Sequence, residues 1–265
     1  MSGELIIENN GRVRVIRINR PEVRNALTDR LAWDIVLAVE DAARDDDVWV
    51  VGITGAGGAF CAGLDLRDRT AGGSGPLSEM DQALDDIGWV GRFLLSLREV
   101  CDKPVIAGIN GPAAGAGLAL AMACDMRLMA ESASLIPGYP RIGAPPDGGL
   151  TLTLQQALGY ERTMRFLLEN QSVTAAEALE LGLVGEVVPD ERFADRFAEY
   201  CDFIAERAPI ASRLTKRAVV RAWNLDLTDH VRYELANIRR AFASEDSREA
   251  IQAFLDKREP EFKGR

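Results

Sequence analysis

The stretch PVIAGINGPAAGAGLALAMACD, residues 104–125, decides the fold, because 21 uncharged residues precede its first acid. Its length and apolarity alone would fit a membrane span, but prolines and glycines interrupt the run. The pattern instead predicts a buried strand over residues 104–109, a tight loop, and a buried helix over residues 115–124. The N-terminus of such a helix presents unpaired N–H groups and a partial positive charge, which suit a carbonyl oxygen that becomes an oxyanion.

A second glycine-rich loop follows an earlier apolar strand. Residues 48–54, VWVVGIT, run into GAGGAFCAGLDLRD at residues 55–68. Both loops follow a predicted strand, so they can converge on one oxygen atom. The sequence therefore predicts a single site to which both loops contribute.

Four further segments accompany the two loops in a fixed order. They are RPEVRNAL (20–27), RIGAPPDGG (141–149), TAAEALELGLVGEVV (174–188) and AIQAFLDKREPEFKG (250–264). In this order and spacing, the chain resembles the enoyl-CoA hydratase/isomerase (crotonase) family over nearly its whole length. The pattern is most similar to the isomerases of that family, including the phenylacetate-pathway ring-epoxide isomerase. The resemblance implies an α/β spiral of ββα units over residues 1–192 and a helical trimerisation region over residues 193–265.

Composition and charge also restrict the possible functions. The chain has 265 residues, of which 47% are hydrophobic and 27% charged, as is typical of globular proteins. Its 31 Lys and Arg against 41 Asp and Glu give a net charge of −10, which disfavours binding to nucleic acid. The N-terminus has no basic segment followed by an apolar run, so we expect a cytoplasmic protein without membrane attachment.

The sulfur and imidazole groups exclude several kinds of site. The four cysteines form no CxxC pair and lie in apolar segments, so we expect reduced, packed thiols and no metal site. The only histidine, His230, lies far along the chain from either glycine loop. A catalytic triad with an imidazole base is therefore not expected, and we interpret His230 as a helix-surface residue.

Local patterns place several further elements. Thr28 is a predicted N-cap for a helix whose residues 31, 35, 38, 39 and 42 share one apolar face, and Thr174 is a predicted N-cap for a second, short helix. Residues 70–75, TAGGSG, predict a break before a long helix over residues 78–100. Strands are predicted over residues 126–130 and 184–188, and helices dominate from residue 193 onward.

The resemblance assigns an oxyanion hole to two backbone amides. In the family, two N–H groups hold the thioester carbonyl, and the matching positions here are Leu64 and Ala116. Enolate charge collects on that oxygen, and each fixed donor can contribute about 3 kcal/mol in the transition state. The alternative is that the neighbouring glycines only permit close packing of strand and helix.

The resemblance also directs attention to one carboxylate. The family's hydratases use two glutamates, whose positions are occupied here by Ala119 and Tyr139. Asp147, in PPDGG, matches the aspartate that shuttles a proton in the isomerases, and one carboxylate suffices to move a double bond. Asp147 could instead be a turn residue or the N-cap of the next helix. Tyr139 is either a polar neighbour of the acyl group or a loop anchor, and we do not count it among the catalytic residues.

The expected substrate is an acyl-CoA thioester, so coenzyme A is part of the substrate and no separate cofactor is expected. The positions that match coenzyme A contacts in the family are Arg24, Ala62, Gly63, Asp65, Leu66 and Arg67, with Phe254 and Lys257 reaching the coenzyme from a neighbouring subunit. For the last two, an amphipathic helix with a solvated lysine is the alternative. The resemblance implies a homotrimer or a dimer of trimers, which fits an apolar stripe that contains Val231, Leu235, Ile238 and Phe242.

Three functions remain open at this point. The favoured one is an acyl-CoA isomerase that uses Asp147. A hydratase with atypical acid and base groups is the second, and a non-catalytic acyl-CoA binding protein is the third. A nicotinamide dehydrogenase is excluded, because GxGxxG does not follow the first strand.

Overall fold

The computed structural model describes residues 3–67 and 76–265, and the small-residue break predicted at residues 70–75 lies outside these ranges. The strands in the described ranges are β1 Leu5–Asn10, β2 Val13–Ile18, β3 Val50–Gly55, β4 Val105–Ile109, β5 Ala113–Ala114, β6 Met126–Ala130, β7 Ser134–Ile136, β8 Val173–Thr174 and β9 Glu186–Val188. The α-helices there are α1 Asp29–Arg44, α2 Glu79–Leu84, α3 Gly88–Leu95, α4 Ala116–Ala123, α5 Leu150–Leu158, α6 Tyr160–Glu169, α7 Ala175–Glu180, α8 Phe193–Ala205, α9 Pro209–Arg221, α10 Leu227–Phe242 and α11 Glu245–Asp256.

The strands form two sheets that the chain visits in turn. The larger sheet has the order β1-β2-β3-β4-β6-β9 and is parallel apart from the β1–β2 hairpin. The smaller sheet has the order β5-β7-β8. After β4 in the large sheet and β5 in the small one, the chain enters α4, and β6, β7 and α5 repeat this sequence. The α/β class and the ββα units predicted from sequence are thus confirmed.

Helix α1 forms where its capping residue and apolar spacing predict it. The Thr28 side chain accepts a hydrogen bond from the Leu31 amide at 3.1 Å, which satisfies one of the free N–H groups of the first turn. The predicted apolar face is buried in the core. At Thr174, the Glu177 side chain bonds back to the capping residue and completes a capping box.

The prediction of a single long helix over residues 78–100 is wrong. Two helices, α2 and α3, replace most of it, and a π-helical turn over Ser96–Val100 follows. The Asp85 carboxylate accepts hydrogen bonds from the amides of Ile87 and Gly88 and from Arg92, and Gly88 has a φ of 65°. The side chain therefore replaces the backbone acceptors that a continuous helix would use. The strand predicted over residues 184–188 is also shorter and begins at Glu186.

Helix α8 packs directly on the large sheet. The Phe197 ring covers Gly52 of β3 and Gly108 of β4, where an added Cβ atom would lie 2.9 Å and 2.7 Å from ring carbons. Phe193 and Cys201 of the same helix belong to the buried core. The helical region predicted from residue 193 thus begins with a helix that completes the core, and the division at residue 192 stays a prediction.

Helix α9 is anchored to the core by charged groups. The Asp102 carboxylate, just before β4, accepts hydrogen bonds from Arg213 and Arg217 of α9. Lys216, between them, donates to the Lys103 carbonyl oxygen at 2.9 Å. Among the helices of the described ranges, none has the length and apolarity that crossing a bilayer requires.

Candidate active site

The two glycine loops lie side by side, as the sequence predicts. The Cys61 amide donates to the Pro112 carbonyl oxygen at 3.2 Å, and the Ala114 amide donates to the Cys61 carbonyl oxygen at 2.9 Å. Gly117, in the first turn of α4, abuts Cys61 so closely that a Cβ atom there would overlap the Cys61 backbone. Glycine is therefore required at this position for the loops to meet.

This contact places two backbone amides next to each other. Gly63 has a φ of 87°, and a Cβ atom on it would lie 3.3 Å from the Ala116 amide nitrogen. Leu64 follows Gly63, and Ala116 is the first residue of α4, after Gly115 at φ 52° and ψ −120°. Within the described residues, neither the Leu64 nor the Ala116 amide donates a hydrogen bond. The two N–H groups can therefore donate hydrogen bonds to an oxygen atom that carries negative charge.

A phenol and a carboxylate form the second part of the site. The Tyr139 hydroxyl donates a hydrogen bond to Asp147 Oδ1 at 2.9 Å. Tyr139 is only 7% exposed, whereas Asp147 is exposed. Burial, and after it the charge of Asp147, raises the pKa of Tyr139 well above its usual value. The hydroxyl consequently keeps its proton and acts as a donor.

The Asp147 side chain does not cap the helix that follows. Helix α5 begins at Leu150, and its N-cap is Gly149, which provides no side-chain hydrogen bond. The Leu150 amide instead donates to the backbone carbonyl oxygen of Asp147 at 3.1 Å. The capping alternative is therefore wrong, because the turn is closed by backbone atoms and the carboxylate is left to other partners.

Gly148, the residue after Asp147, packs against α4. It has a φ of 62°, and a Cβ atom on it would lie 3.1 Å from the Ala119 Cβ atom and 2.6 Å from Val90 Cγ1. Ala119, Tyr139 and Asp147, which lie apart in the sequence, are thus brought together. Sequence analysis left Tyr139 out of the catalytic group, although its place in the loop that leads to Asp147 was an available signal.

Most of the coenzyme A candidates lie on one connected surface. The Ala62 amide donates to the Arg24 carbonyl oxygen at 2.9 Å. The Asp65 carboxylate accepts hydrogen bonds from the Arg67 amide and from Arg20 Nη1, both at 3.2 Å. Sequence analysis did not single out Arg20, which holds Asp65 in place. The candidates that the structure brings together are Arg24, Ala62, Gly63, Asp65, Leu66 and Arg67.

Phe254 and Lys257 lie at the C-terminal end of α11. The Phe254 side chain is 83% exposed, and Lys257 ends the helix with a φ of 56°. Within the described chain, no hydrogen bond or ion pair joins either residue to the glycine loops. A single chain therefore does not bring these two candidates to the others.

Neither a cysteine thiol nor the His230 imidazole supplies a nucleophile or a base in this arrangement. All four cysteines are buried and free, as predicted. Burial raises the pKa of Cys61, beside the two amides, to about 12, so its thiol remains protonated and poorly nucleophilic. His230 belongs to α10, where its Nε2 lies 3.4 Å from Glu234. Its side chain is 20% exposed, so it lies on the helix surface but is partly covered.

The fold and the paired loops define a class of proteins that comparison with known proteins identifies. The sequence matches the model of the enoyl-CoA hydratase/isomerase family over residues 8–265, and the chain belongs to this family. The 1,2-epoxyphenylacetyl-CoA isomerase of Escherichia coli K12 is 33% identical over 256 residues, which cover 96% of this chain and 95% of that protein. The short-chain-enoyl-CoA hydratase of Clostridium acetobutylicum is 32% identical over 266 residues, which cover 98% of each.

A solved structure supports the same assignment. The crystal structure of the enoyl-CoA hydratase from Bacillus anthracis superposes with a TM-score of 0.88 at 32% identity, covering 99% of this chain and all of that one. The crotonase fold is thereby established. The relatives include both isomerases and hydratases, so family membership does not by itself fix the reaction.

Proposed function

We propose that this protein isomerises an enoyl-CoA or ring acyl-CoA, with Asp147 as the proton shuttle. One observation carries the proposal: the Asp147 carboxylate accepts a hydrogen bond from Tyr139, and the next residue, Gly148, packs against Ala119 of α4. Ala119 is one helical turn beyond Ala116, whose amide is one of the two free donors. The loop that carries the proposed base therefore meets α4 one turn from a proposed oxyanion donor.

The two amides would polarise the thioester. Its carbonyl oxygen would accept hydrogen bonds from the Leu64 and Ala116 N–H groups. These donors are held by backbone packing before substrate binds, so little reorganisation accompanies the reaction. They would stabilise the negative charge on the oxygen when the enolate forms.

Asp147 would move the proton. Its carboxylate takes a proton from a carbon conjugated with the thioester, and the electron pair of that C–H bond moves into the enolate. The protonated Asp147 then returns the proton to another carbon of the same conjugated system. No atom is gained or lost, and one carboxylate performs both transfers.

Hydration is the second candidate, favoured by relatives that are named as hydratases. It needs a base for water and an acid for the α carbon, and Ala119 provides only a methyl group. Tyr139 keeps its proton, so it does not act as the base. A hydratase here would have Asp147 as its base and at most a weakly acidic phenol as its acid, which makes slow hydration the expectation. A non-catalytic acyl-CoA binding protein is the third candidate.

The substrate-binding surface and the assembly belong to the same proposal. Coenzyme A would lie along the surface that runs from Arg24 to Arg67, and it is part of the substrate, so no separate cofactor is needed. Phe254 and Lys257 would reach it from a neighbouring chain of a homotrimer or dimer of trimers. This assembly would cover side chains of α10 that one chain leaves about half exposed, namely Val231, Leu235, Ile238 and Phe242.

The test measures proton transfer directly. Purified protein is incubated in D₂O with 3-enoyl-CoA, 2-enoyl-CoA and epoxyphenylacetyl-CoA substrates, and mass spectrometry follows double-bond position, hydration and deuterium uptake. Asp147→Asn should lower isomerisation by about a hundredfold or more while acyl-CoA affinity changes little. The control is Asp202→Asn, which alters an exposed carboxylate on α8. Full turnover in Asp147→Asn would refute the shuttle, and binding without any exchange in wild type would favour the non-catalytic candidate.

A further inference from the structure

The hydrogen bond between Tyr139 and Asp147 has a consequence for how the proposed base is held. We infer that Tyr139 is a positioning residue, whose hydroxyl holds the Asp147 carboxylate in one orientation so that Oδ2 remains available for the substrate proton. This inference rests on the proposed function of Asp147. It assigns a role to a residue that the proposed proton transfers do not themselves use.

The two ends of Asp147 are fixed by different contacts. On the backbone side, Gly148 adopts a positive φ and packs against Val90 and Ala119. On the side-chain side, the only hydrogen bond to the carboxylate in the described chain comes from Tyr139, at 2.9 Å. An exposed aspartate would otherwise sample several χ1 and χ2 values. The phenol therefore selects one orientation of an otherwise unrestrained carboxylate.

Tyr139 is itself firmly placed. Its ring belongs to the buried core, and its carbonyl oxygen accepts a hydrogen bond from the Ala144 amide at 3.2 Å. Gly138, immediately before it, donates to the Asn170 side chain at 2.9 Å. The hydroxyl thus projects from an anchored ring toward an exposed carboxylate. The buried ring fixes the hydroxyl, and the hydroxyl in turn restrains the carboxylate.

In its hydrogen bond with the Asp147 carboxylate, the Tyr139 hydroxyl is the donor. Because burial and the neighbouring carboxylate raise the pKa of Tyr139, its proton stays on the phenol oxygen at physiological pH. Asp147 Oδ1 thus accepts this hydrogen bond, while Oδ2 accepts none from the described residues. A glutamate at this position would place a second negative charge next to Asp147 and would disfavour the ionised base.

The decisive experiment is a double-mutant cycle on isomerase turnover, normalised to the concentration of acyl-CoA binding sites. Tyr139→Phe keeps the ring and removes only the hydroxyl. We expect kcat to fall about 10- to 100-fold with KM within about twofold, because misplacement of a reacting group affects the chemical step more than binding. In the Asp147→Asn background the same change should have little further effect, since the group that it positions is gone.

Controls separate positioning from stability. Tyr160→Phe removes a hydroxyl from an exposed tyrosine on α6 and should leave kcat and KM unchanged. Normalisation to binding sites removes the contribution of any misfolded Tyr139→Phe protein. A purely structural role would give equal losses in the wild-type and Asp147→Asn backgrounds, and that result would overturn the inference.

The outcomes also separate this inference from the proposed function. Full turnover in Asp147→Asn would refute the proton shuttle, and the positioning role with it. An inactive Asp147→Asn together with a fully active Tyr139→Phe would refute the positioning role alone. A selective fall of kcat in Tyr139→Phe, absent in the Asp147→Asn background, would support both.

Discussion

The Ala114 amide donates a hydrogen bond to the Cys61 carbonyl oxygen, and this bond joins two loops that are far apart in the sequence. It belongs to an isolated parallel pairing between Cys61 and Ala113, the first residue of β5. The Leu64 and Ala116 amides each lie three residues after a member of this pair, Cys61 and Ala113 respectively. Their separation is consequently set by backbone contacts, and the glycines at the contact control it.

Gly63→Ala should therefore impair the site. A Cβ atom at Gly63 would lie 2.7 Å from the Ala114 carbonyl oxygen, and φ of 87° is unfavourable for alanine. We expect a loss of about 1–3 kcal/mol in the free energy of unfolding, together with a fall in kcat. Chemical denaturation and steady-state kinetics measure the two effects. Gly58→Ala is the matched control, because an added Cβ there meets no atom within 4 Å; equal effects of the two changes would contradict the prediction.

Ala119→Glu should not convert the protein into an efficient hydratase. Ala119 is 1% exposed and packs against Gly148, so a glutamate would be buried without a prepared partner. We expect the free energy of unfolding to fall by about 2 kcal/mol or more and crotonyl-CoA hydration to remain slow. The control is Ala194→Glu, at an exposed position of α8. A stable Ala119→Glu variant with rapid hydration would disprove this expectation.

The contribution of Asp102 to the free energy of unfolding should be lost at acid pH. Burial alone would raise the pKa of its carboxyl group, but Arg213 and Arg217 outweigh burial and lower it overall. The stabilisation is therefore complete above the pKa of the unfolded chain, near 4, and is lost as the pH falls through the lower pKa of the folded state. We expect Asp102→Asn to lower the free energy of unfolding by about 2 kcal/mol at pH 7.

Urea denaturation between pH 7 and pH 3 tests this prediction. The difference between wild type and Asp102→Asn should shrink as the pH approaches 3. Asp47→Asn, which alters an exposed ion pair with Arg12, should change stability by less than about 0.5 kcal/mol. A difference that is the same at all pH values would show that ionisation of Asp102 is not responsible.

The thiols should be unreactive in the native protein. All four are buried, and burial raises the pKa of Cys61, Cys124 and Cys201 to about 12. An aromatic disulfide reagent at pH 8 should label none of them until the protein is unfolded, after which four equivalents should react. Rapid labelling of a single thiol in the native state would indicate that one cysteine is accessible.

Local chemistry made much of the fold predictable. Thr28 and Thr174 cap helices through their own side chains, so the residues that define these helix starts are adjacent in sequence. The break within residues 78–100 was not predictable in this way. It depends on Asp85 reaching two amides and Arg92 at once, and a helical pattern does not reveal which acceptor an aspartate will choose.

The candidate site was likewise predictable from sequence only in part. The convergence of the two glycine loops follows from each loop succeeding a parallel strand, and the structure bears it out. The pairing of Tyr139 with Asp147 depends on a 3₁₀ turn over Tyr139–Ile142 and on the burial of one ring. Sequence favoured Asp147 as a base and left a turn residue or N-cap as the alternative, and the position of the Gly149 N-cap excludes the cap.

The packing of Phe197 over Gly52 and Gly108 has a consequence for biosynthesis. The two glycines leave a groove on β3 and β4, and the ring that fills it belongs to α8, which is synthesised long after both strands. Translation proceeds at about 5–20 residues per second, so the nascent sheet carries an open apolar groove for several seconds. A chain still short of Cys201 cannot bury this surface, so completion of the core requires most of the polypeptide to have left the ribosome.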